Sequence, residues 1–133
     1  MSSVVDASVL VAALASTGRE GRWAETIVAG GDLLAPILVQ VETANILRRL
    51  QLARELAPLE ASLAFRDLLQ LEVNLFPFEP FAERAWELRA NVTGYDAWYV
   101  ALAEAFELPL ATLDRRLAEA PGPSCPFLLP PGS

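Results

Sequence analysis

The sequence contains no histidine and no lysine, and its single cysteine is Cys125. Without histidine there can be no Ser-His-Asp or Cys-His nucleophile pair and no histidine-ligated zinc site. Without lysine, Schiff-base chemistry and the P-loop lysine are excluded as well. A lone cysteine cannot form an intrachain disulfide, and with no histidine or lysine to activate it we expect Cys125 to be inert. If this chain is an enzyme, its carboxylates supply the chemistry, alone or through a hard cation.

Long apolar segments and an excess of positive charge are also missing. The charge-free run over residues 7–18 is too short to span a bilayer and lacks a positively charged segment before it. We therefore expect a cytoplasmic protein with no membrane contact. All ten basic residues are arginine and the net charge is −7, which argues against a polyanionic partner unless positive charge is concentrated locally.

What the chain does contain predicts one ordered domain over residues 1–133, with a proline-rich tail from about residue 121. Hydrophobic residues make up 53% of the 133 residues and charged residues 20%. Strands are predicted at Val4–Val5, Leu33–Ala35, Val73–Phe76, Leu108–Leu113 and Phe127–Leu129, and helices at Ala7–Ala15, Gly21–Ala29, Ile37–Ala53, Leu59–Leu71, Pro80 to about Ala90, Ala97–Phe106 and Asp114–Ala120. This alternation predicts an α/β fold, a short parallel sheet covered by helices on both faces.

Three acidic residues are predicted near the carboxyl edge of this sheet, where α/β folds bind ligands. Asp6 ends the first strand, Asp114 follows the strand in LPLAT, and Asp96 lies in the first turn of a helix. Glu42 is a fourth acid on an otherwise apolar and basic helix. Each acid also has a local explanation. Asp6 and Asp114 are suitable helix caps, Asp96 completes a capping box, and Glu42 is compatible with solvation or an ion pair.

Local explanations do not account for several acids at one sheet edge. Two carboxylates about 4 Å apart repel by about 4 kcal/mol at an effective dielectric near 20. A group of four therefore shares protons or binds a cation, and ligands that are all oxygen favour Mg²⁺ or Mn²⁺. Such ions commonly bind phosphates, which indicates phosphoryl-transfer chemistry.

Four motifs in order, VVDASVLV, VETANILRRL, YDAWYVALA and LATLD, resemble the PIN domain, and specifically the VapC-type toxin ribonucleases of toxin–antitoxin pairs. The resemblance covers roughly Val4 to Leu129. It implies an acidic metal site with Asp6 and Asp96 as the main ligands and Glu42 and Asp114 completing it. Ser8 and Thr112 match supporting hydroxyl positions, and Asn45 matches an asparagine whose role could equally be structural.

The resemblance further implies a Mg²⁺- or Mn²⁺-dependent endoribonuclease with one or two ions. In that activity a metal-activated water attacks the RNA phosphorus and leaves 5′-phosphate and 3′-hydroxyl ends. The implied partners are an RNA substrate, a small VapB-like antitoxin lying over the active site, and a second copy of the chain in a homodimer.

Arginines and aromatic residues near these motifs have less defined roles. Arg115 and Arg116 are the foremost candidates for a basic rim that meets RNA phosphates, and Arg48, Arg49 and Arg89 are further candidates. Tyr99 and Trp98 are assigned to core packing in preference to the site. The remaining two tryptophans, Trp23 and Trp86, are assigned to packing outright.

Rival hypotheses remain open from the sequence alone. A housekeeping or non-catalytic PIN-domain protein fits the same motifs. A metal-dependent phosphohydrolase of the haloacid-dehalogenase kind fits less well, since that chemistry needs a second acid at position 8, occupied by Ser8, and a lysine. A receiver domain fails on the same lysine.

Overall fold

A computed structural model describes residues 1–132, and it confirms the α/β fold class. Within these residues the chain forms five strands and seven helices. The strands are β1 (Ser3–Val5), β2 (Leu33–Pro36), β3 (Val73–Phe76), β4 (Leu110–Ala111) and β5 (Phe127–Leu128). The helices are α1 (Ala7–Ala15), α2 (Arg19–Ala29), α3 (Val39–Leu52), α4 (Pro58–Gln70), α5 (Ala82–Glu87), α6 (Gly94–Phe106) and α7 (Arg115–Glu119).

The five strands form one parallel sheet in the order β3-β2-β1-β4-β5. β1 lies at its centre, where Val4 is in register with Leu34 on one side and with Leu110 on the other. The chain steps outward from β1 to β3 and then crosses back to β4. Because crossovers between parallel strands are right-handed, this reversal places α5 and α6 on the opposite face from α1 to α4.

The helix contacts agree with two layers around the sheet. α1 packs against α2, α3 and α4, whereas α6 packs against α5 and across β1, β2 and β4. α1 and α2 approach closely at Gly21, where a Cβ atom would lie 2.3 Å from the Ser16 carbonyl oxygen. The core between the layers is apolar and buries the side chains of Val4, Leu10, Leu68, Leu102 and Leu110.

Two elements are much shorter than predicted, and the other differences are of one to three residues at an element's end. The helix expected from Pro80 to about Ala90 is a 3-10 turn over Glu79–Phe81 followed by α5. α5 ends early because the amides of Leu88 and Arg89 donate hydrogen bonds to carbonyls three residues earlier, and not four as in an α-helix. The strand expected over Leu108–Leu113 is only β4. The Leu108 amide bonds to Ala103 at the end of α6, and Pro109 has no amide hydrogen to donate.

Other features of the fold bear on membrane contact and on Cys125. No helix within residues 1–132 is both long and apolar enough to cross a membrane. Cys125 is a buried free thiol, and burial raises its pKa to about 11. A thiol of that pKa stays protonated at neutral pH, in agreement with the inert role predicted for it.

Candidate active site

The strand order reverses between β1 and β4, and in α/β sheets such a reversal leaves a crevice at the carboxyl ends of the two strands. Asp6 directly follows β1 at this edge. Asp6 is the N-cap of α1, and its Oδ1 accepts hydrogen bonds from the Val9 amide at 3.2 Å and from the Ser8 hydroxyl. Its Oδ2 accepts a hydrogen bond from the Thr112 hydroxyl. Burial raises the pKa of Asp6 despite these hydrogen bonds, which lower it. The capping and site interpretations of Asp6 are therefore compatible.

Ser8 and Thr112 connect the two strand ends. The Leu113 amide donates to Ser8 Oγ at 3.1 Å, and the Asp114 amide donates to Thr112 Oγ1 at 3.0 Å. Both hydroxyls also donate to Asp6. A single hydrogen-bond network thus fixes the Asp6 carboxylate relative to the backbone that leads to Asp114.

Asp96 enters the same crevice from the opposite helical layer. Thr93 is the N-cap of α6, and its Oγ1 accepts a hydrogen bond from the Asp96 amide at 3.3 Å. Burial raises the pKa of Asp96, and the negative charges of Asp114 and Asp6 raise it further. Since repulsion of this kind fades with distance, Asp96 lies within electrostatic range of both Asp114 and Asp6.

Glu42 lies in the first turn of α3 and joins this group through Tyr99. The Tyr99 hydroxyl donates a hydrogen bond to Glu42 Oε1 at 2.5 Å. Burial raises the pKa of Tyr99 above its usual range, as do this hydrogen bond and the charges of Glu42, Asp6 and Asp96. The phenol therefore stays protonated and acts as a donor between α6 and α3.

Tyr99 is the functional candidate that the sequence analysis assigned to packing. Its ring is buried, but its hydroxyl contacts one of the acids. The spacing in the sequence could have indicated this role, because Tyr99 follows Asp96 by three residues and therefore lies on the same face of α6. Trp98 is buried as predicted.

Asp114 is exposed and also caps a helix. Its Oδ1 accepts hydrogen bonds from the amides of Arg116 at 3.0 Å and Leu117 at 3.2 Å, at the start of α7. One carboxyl oxygen is thereby occupied by the cap. The other makes no hydrogen bond within the described part of the chain and is available to a ligand.

None of these four acids is neutralised by a basic side chain. Within residues 1–132 the ion pairs are those of Arg84 with Glu87 and Glu104. The acids do not form a closed cage either, since no three acidic or cysteine side chains in that range are placed to hold one metal ion together. The oxygen donors and uncompensated charge fit a hydrated Mg²⁺ or Mn²⁺, because Mg²⁺ retains several waters and uses one or two carboxylates directly.

The arginines proposed for a rim are separated by the fold. Arg115 and Arg116 are both exposed beside Asp114, and Arg115 also donates to the Pro130 carbonyl at 2.9 Å. Arg49 lines a cleft that also contains Glu42 and Asn45, whereas Arg48 lines another cleft, between α3 and α4. Asn45 makes no side-chain hydrogen bond to any described residue.

The packing role predicted for Trp86 is wrong. Its side chain is 67% exposed, and the Arg89 guanidinium lies 4.4 Å from its ring centroid. The helix that carries it, α5, has only six residues and buries Ala85. Trp23 is partly buried and packs against the main core, in agreement with its prediction.

The chain resembles known proteins in both its sequence and its structure. The family model of the PIN domain matches residues 3–123. The chain is 44% identical over 127 residues to ribonuclease VapC1 of Mycobacterium tuberculosis, an alignment that covers 95% of this chain and 96% of the relative. It is 40% identical over 128 residues to VapC ribonuclease Mb0985 of Mycobacterium bovis, covering 96% and 98%.

Solved structures share the fold at lower sequence identity. PAE2754 from Pyrobaculum aerophilum superposes with a TM-score of 0.70 at 24% identity, covering 96% of this chain and 83% of the other. VapBC2 from Rickettsia felis, solved bound to a DNA fragment from its promoter, superposes with a TM-score of 0.66 at 13% identity, covering 97% and 98%.

Proposed function

Because this chain belongs to the PIN domain family and is closely similar to VapC ribonucleases, we propose that it is an endoribonuclease and the toxin of a toxin–antitoxin pair. The observation that carries the proposal is the group of Asp6, Glu42, Asp96 and Asp114 around one crevice with no arginine paired to any of them. The chain gains no stability from such repulsion, whereas a divalent cation that binds an RNA phosphate needs this negative charge.

The proposed cofactor is Mg²⁺ or Mn²⁺, held by Asp6 and Asp96 directly or through water. When bound, a divalent ion lowers the pKa of water and stabilises negative charge on the leaving oxygen of a phosphodiester. Glu42 and Asp114 would hold waters of the ion and set the charge of the site. This division agrees with their contacts, since each has one carboxyl oxygen engaged by the protein.

The neighbouring side chains have positioning roles in this proposal. Ser8 and Thr112 hold the two Asp6 oxygens, and Tyr99 holds Glu42. Such contacts fix ligand orientation, and in metal sites their loss typically lowers affinity or activity by about 10- to 100-fold. Rigid ligands also keep the attacking water in line with the scissile bond.

The proposed partners follow from the relatives. VapBC2 from Rickettsia felis supports a small VapB-like antitoxin as the inhibitor of this chain. We further propose that the chain acts as a homodimer, in which two crevices share one RNA-binding face. Since its proposed substrate is RNA, we place its action in the cytoplasm.

The test is cleavage of a synthetic RNA by the purified chain with Mg²⁺, with Mn²⁺ and with EDTA. We expect cutting that requires the divalent ion, leaves 5′-phosphate ends and is lost in Asp6→Asn. Equal degradation by the wild type and Asp6→Asn would assign the activity to a contaminant and refute the proposal, as would full activity in EDTA.

A further inference from the structure

A cleft between α3 and the start of α6 contains Glu42 and the chain neighbours of Asp6 and Asp96, and we propose that it binds the nucleotide next to the phosphate that is cut. This inference rests on the proposed ribonuclease function. The cleft has a volume of about 330 Å³. Its polar lining consists of Glu42, Asn45, Arg49 and Tyr95.

The cleft is continuous with the acidic group. Glu42 belongs to both, since it lines the cleft and accepts the Tyr99 hydrogen bond. Two other lining residues are chain neighbours of the acids: Ala7 follows Asp6, and Tyr95 precedes Asp96. An RNA strand whose scissile phosphate lies at the acids therefore brings an adjacent nucleotide to this cleft.

Tyr95 offers a surface for a base. Its side chain is 62% exposed, and it makes no hydrogen bond and no ring contact with another aromatic side chain in the described part of the chain. It also lines a neighbouring apolar cleft together with Leu38 and Trp98. An exposed aromatic ring that the fold does not use for packing is suited to stacking, which every base permits through its π face.

Arg49 and Asn45 supply the remaining contacts of a nucleotide. Both are exposed and lie on the Glu42 face of α3, where Asn45 is three residues after Glu42 and Arg49 is seven residues after it. Arg49 forms no ion pair within residues 1–132 and lies about 10 Å along the helix from Glu42, so it meets a different phosphate from the scissile one. The Asn45 amide has free donors and an acceptor for a base edge.

The charge arrangement favours RNA over a protein as the occupant. A net charge of −7, to which the four acids at the place of cutting contribute, repels RNA. An unpaired arginine within the cleft supplies positive charge where a phosphate next to the scissile one has to lie. A ring face, an amide and a guanidinium together match a base and its phosphate.

The first test compares Arg49→Gln with Arg48→Gln, a control one residue away that lines the other cleft. Binding of a fluorescent single-stranded RNA to the full chain is measured without divalent ions over a range of salt concentration. For Arg49→Gln we expect weaker binding and a salt slope smaller in magnitude by about 0.7, the value for one lost phosphate contact on a single strand. Arg48→Gln should match the wild type, because the fold places Arg48 in the cleft between α3 and α4 and so removes it from the candidate rim.

The second test uses Tyr95→Ala and Tyr95→Phe in cleavage assays. We expect Tyr95→Ala to raise KM about tenfold and Tyr95→Phe to preserve it, because the ring and not the hydroxyl stacks on the base. If the wild type cleaves RNA but Arg49→Gln binds like Arg48→Gln and Tyr95→Ala keeps its KM, the inference is wrong and the proposed function stands. If the wild type cleaves no RNA, both fail.

Discussion

The carboxylate of Glu104 and those of the acidic site have opposite surroundings. Glu104 on α6 is paired with Arg84, whose Nε and Nη2 donate to its two oxygens at 2.7 and 3.1 Å, and it also accepts from the amide and hydroxyl of Ser124. Burial raises the pKa of Glu104, but these hydrogen bonds outweigh it and the net pKa is lowered. Asp96, on the same helix, has a raised pKa and no arginine.

The difference separates structural from functional acids. Glu104 fixes the chain after α7 to the fold, since Arg84 also donates to the Gly122 carbonyl at 3.0 Å. Asp114 and Asp6 repel Asp96, and none of these three aspartates has an arginine to offset its charge. Residues that are retained at a cost in stability are typical of functional sites. We therefore expect mutation of the two groups to affect different properties.

The largest expected effect is on cleavage. Asp96→Asn keeps the size of the side chain and removes its charge, and we expect the RNA cleavage rate to fall at least about a hundredfold because the loss of a principal metal contact removes charge stabilisation. The free energy of unfolding should be unchanged or higher. Initial rates and urea unfolding measure the two quantities, and a large loss of stability in this variant would contradict the comparison.

The matched variant in the other group is Glu104→Gln. We expect the free energy of unfolding to fall by about 2 kcal/mol, since hydrogen bonds to charged groups contribute about 1.5–3 kcal/mol and Arg84 loses its partner. Cleavage at 25 °C should match the wild type within twofold. If this variant lost cleavage while remaining folded, Glu104 would belong to the site and the division would be wrong.

Tyr99→Phe sharpens the comparison, because Tyr99 is buried like a structural residue yet contacts Glu42. We expect cleavage to fall about tenfold, the lower end for loss of a contact that orients a metal ligand. Mn²⁺ affinity, measured by electron paramagnetic resonance without RNA, should fall as well. Weakened stability with unaltered Mn²⁺ affinity would show that Tyr99 serves packing alone.

The smallest expected effect concerns Arg115 and Arg116 at the exposed side of the crevice. Replacement of both arginines by glutamate should weaken RNA binding severalfold and make its dependence on salt concentration shallower. The reason is that each exposed arginine adds one phosphate contact that salt screens. Intact binding and cleavage would exclude a rim role for this pair. Asp114 should still cap α7 in this variant, since the backbone amides that donate hydrogen bonds to it remain.

The sequence predicted most accurately those helices whose first residue is determined by a nearby capping side chain or proline. Asp6 and Thr93 are caps whose side chains accept amide hydrogen bonds. α1 begins directly after Asp6 as predicted, whereas α6 begins directly after Thr93, three residues before the predicted start at Ala97. Pro58 begins α4 as expected for a first-turn proline. Adjacency of helix starts at one sheet edge follows from parallel strand order, which is why the positions of Asp6, Asp96 and Asp114 could be predicted.

Other features depend on distant parts of the chain. The partner of the Tyr99 hydroxyl is 57 residues away. α6 buries seven consecutive residues from Ala97 to Ala103, so its periodicity does not distinguish a packing tyrosine from a site tyrosine. Trp86 lies on a six-residue helix, too short for a face to be assigned from spacing. The cleft beside Glu42 forms only when α3 and α6 are brought together.

The most direct measurement of the central claim is thermal unfolding of the wild type and Asp96→Asn with and without Mg²⁺. Without the ion, Asp96→Asn should unfold at the same temperature as the wild type or higher, because one repelling charge is gone. With millimolar Mg²⁺ the wild type should gain stability in proportion to the logarithm of ion concentration above its Kd, and the variant should gain much less. The account would be contradicted if neither Mg²⁺ nor Mn²⁺ stabilised the wild type. It would also be contradicted if Asp96→Asn were as destabilised as Glu104→Gln, because the carboxylates would then not be left unpaired in order to bind a cation.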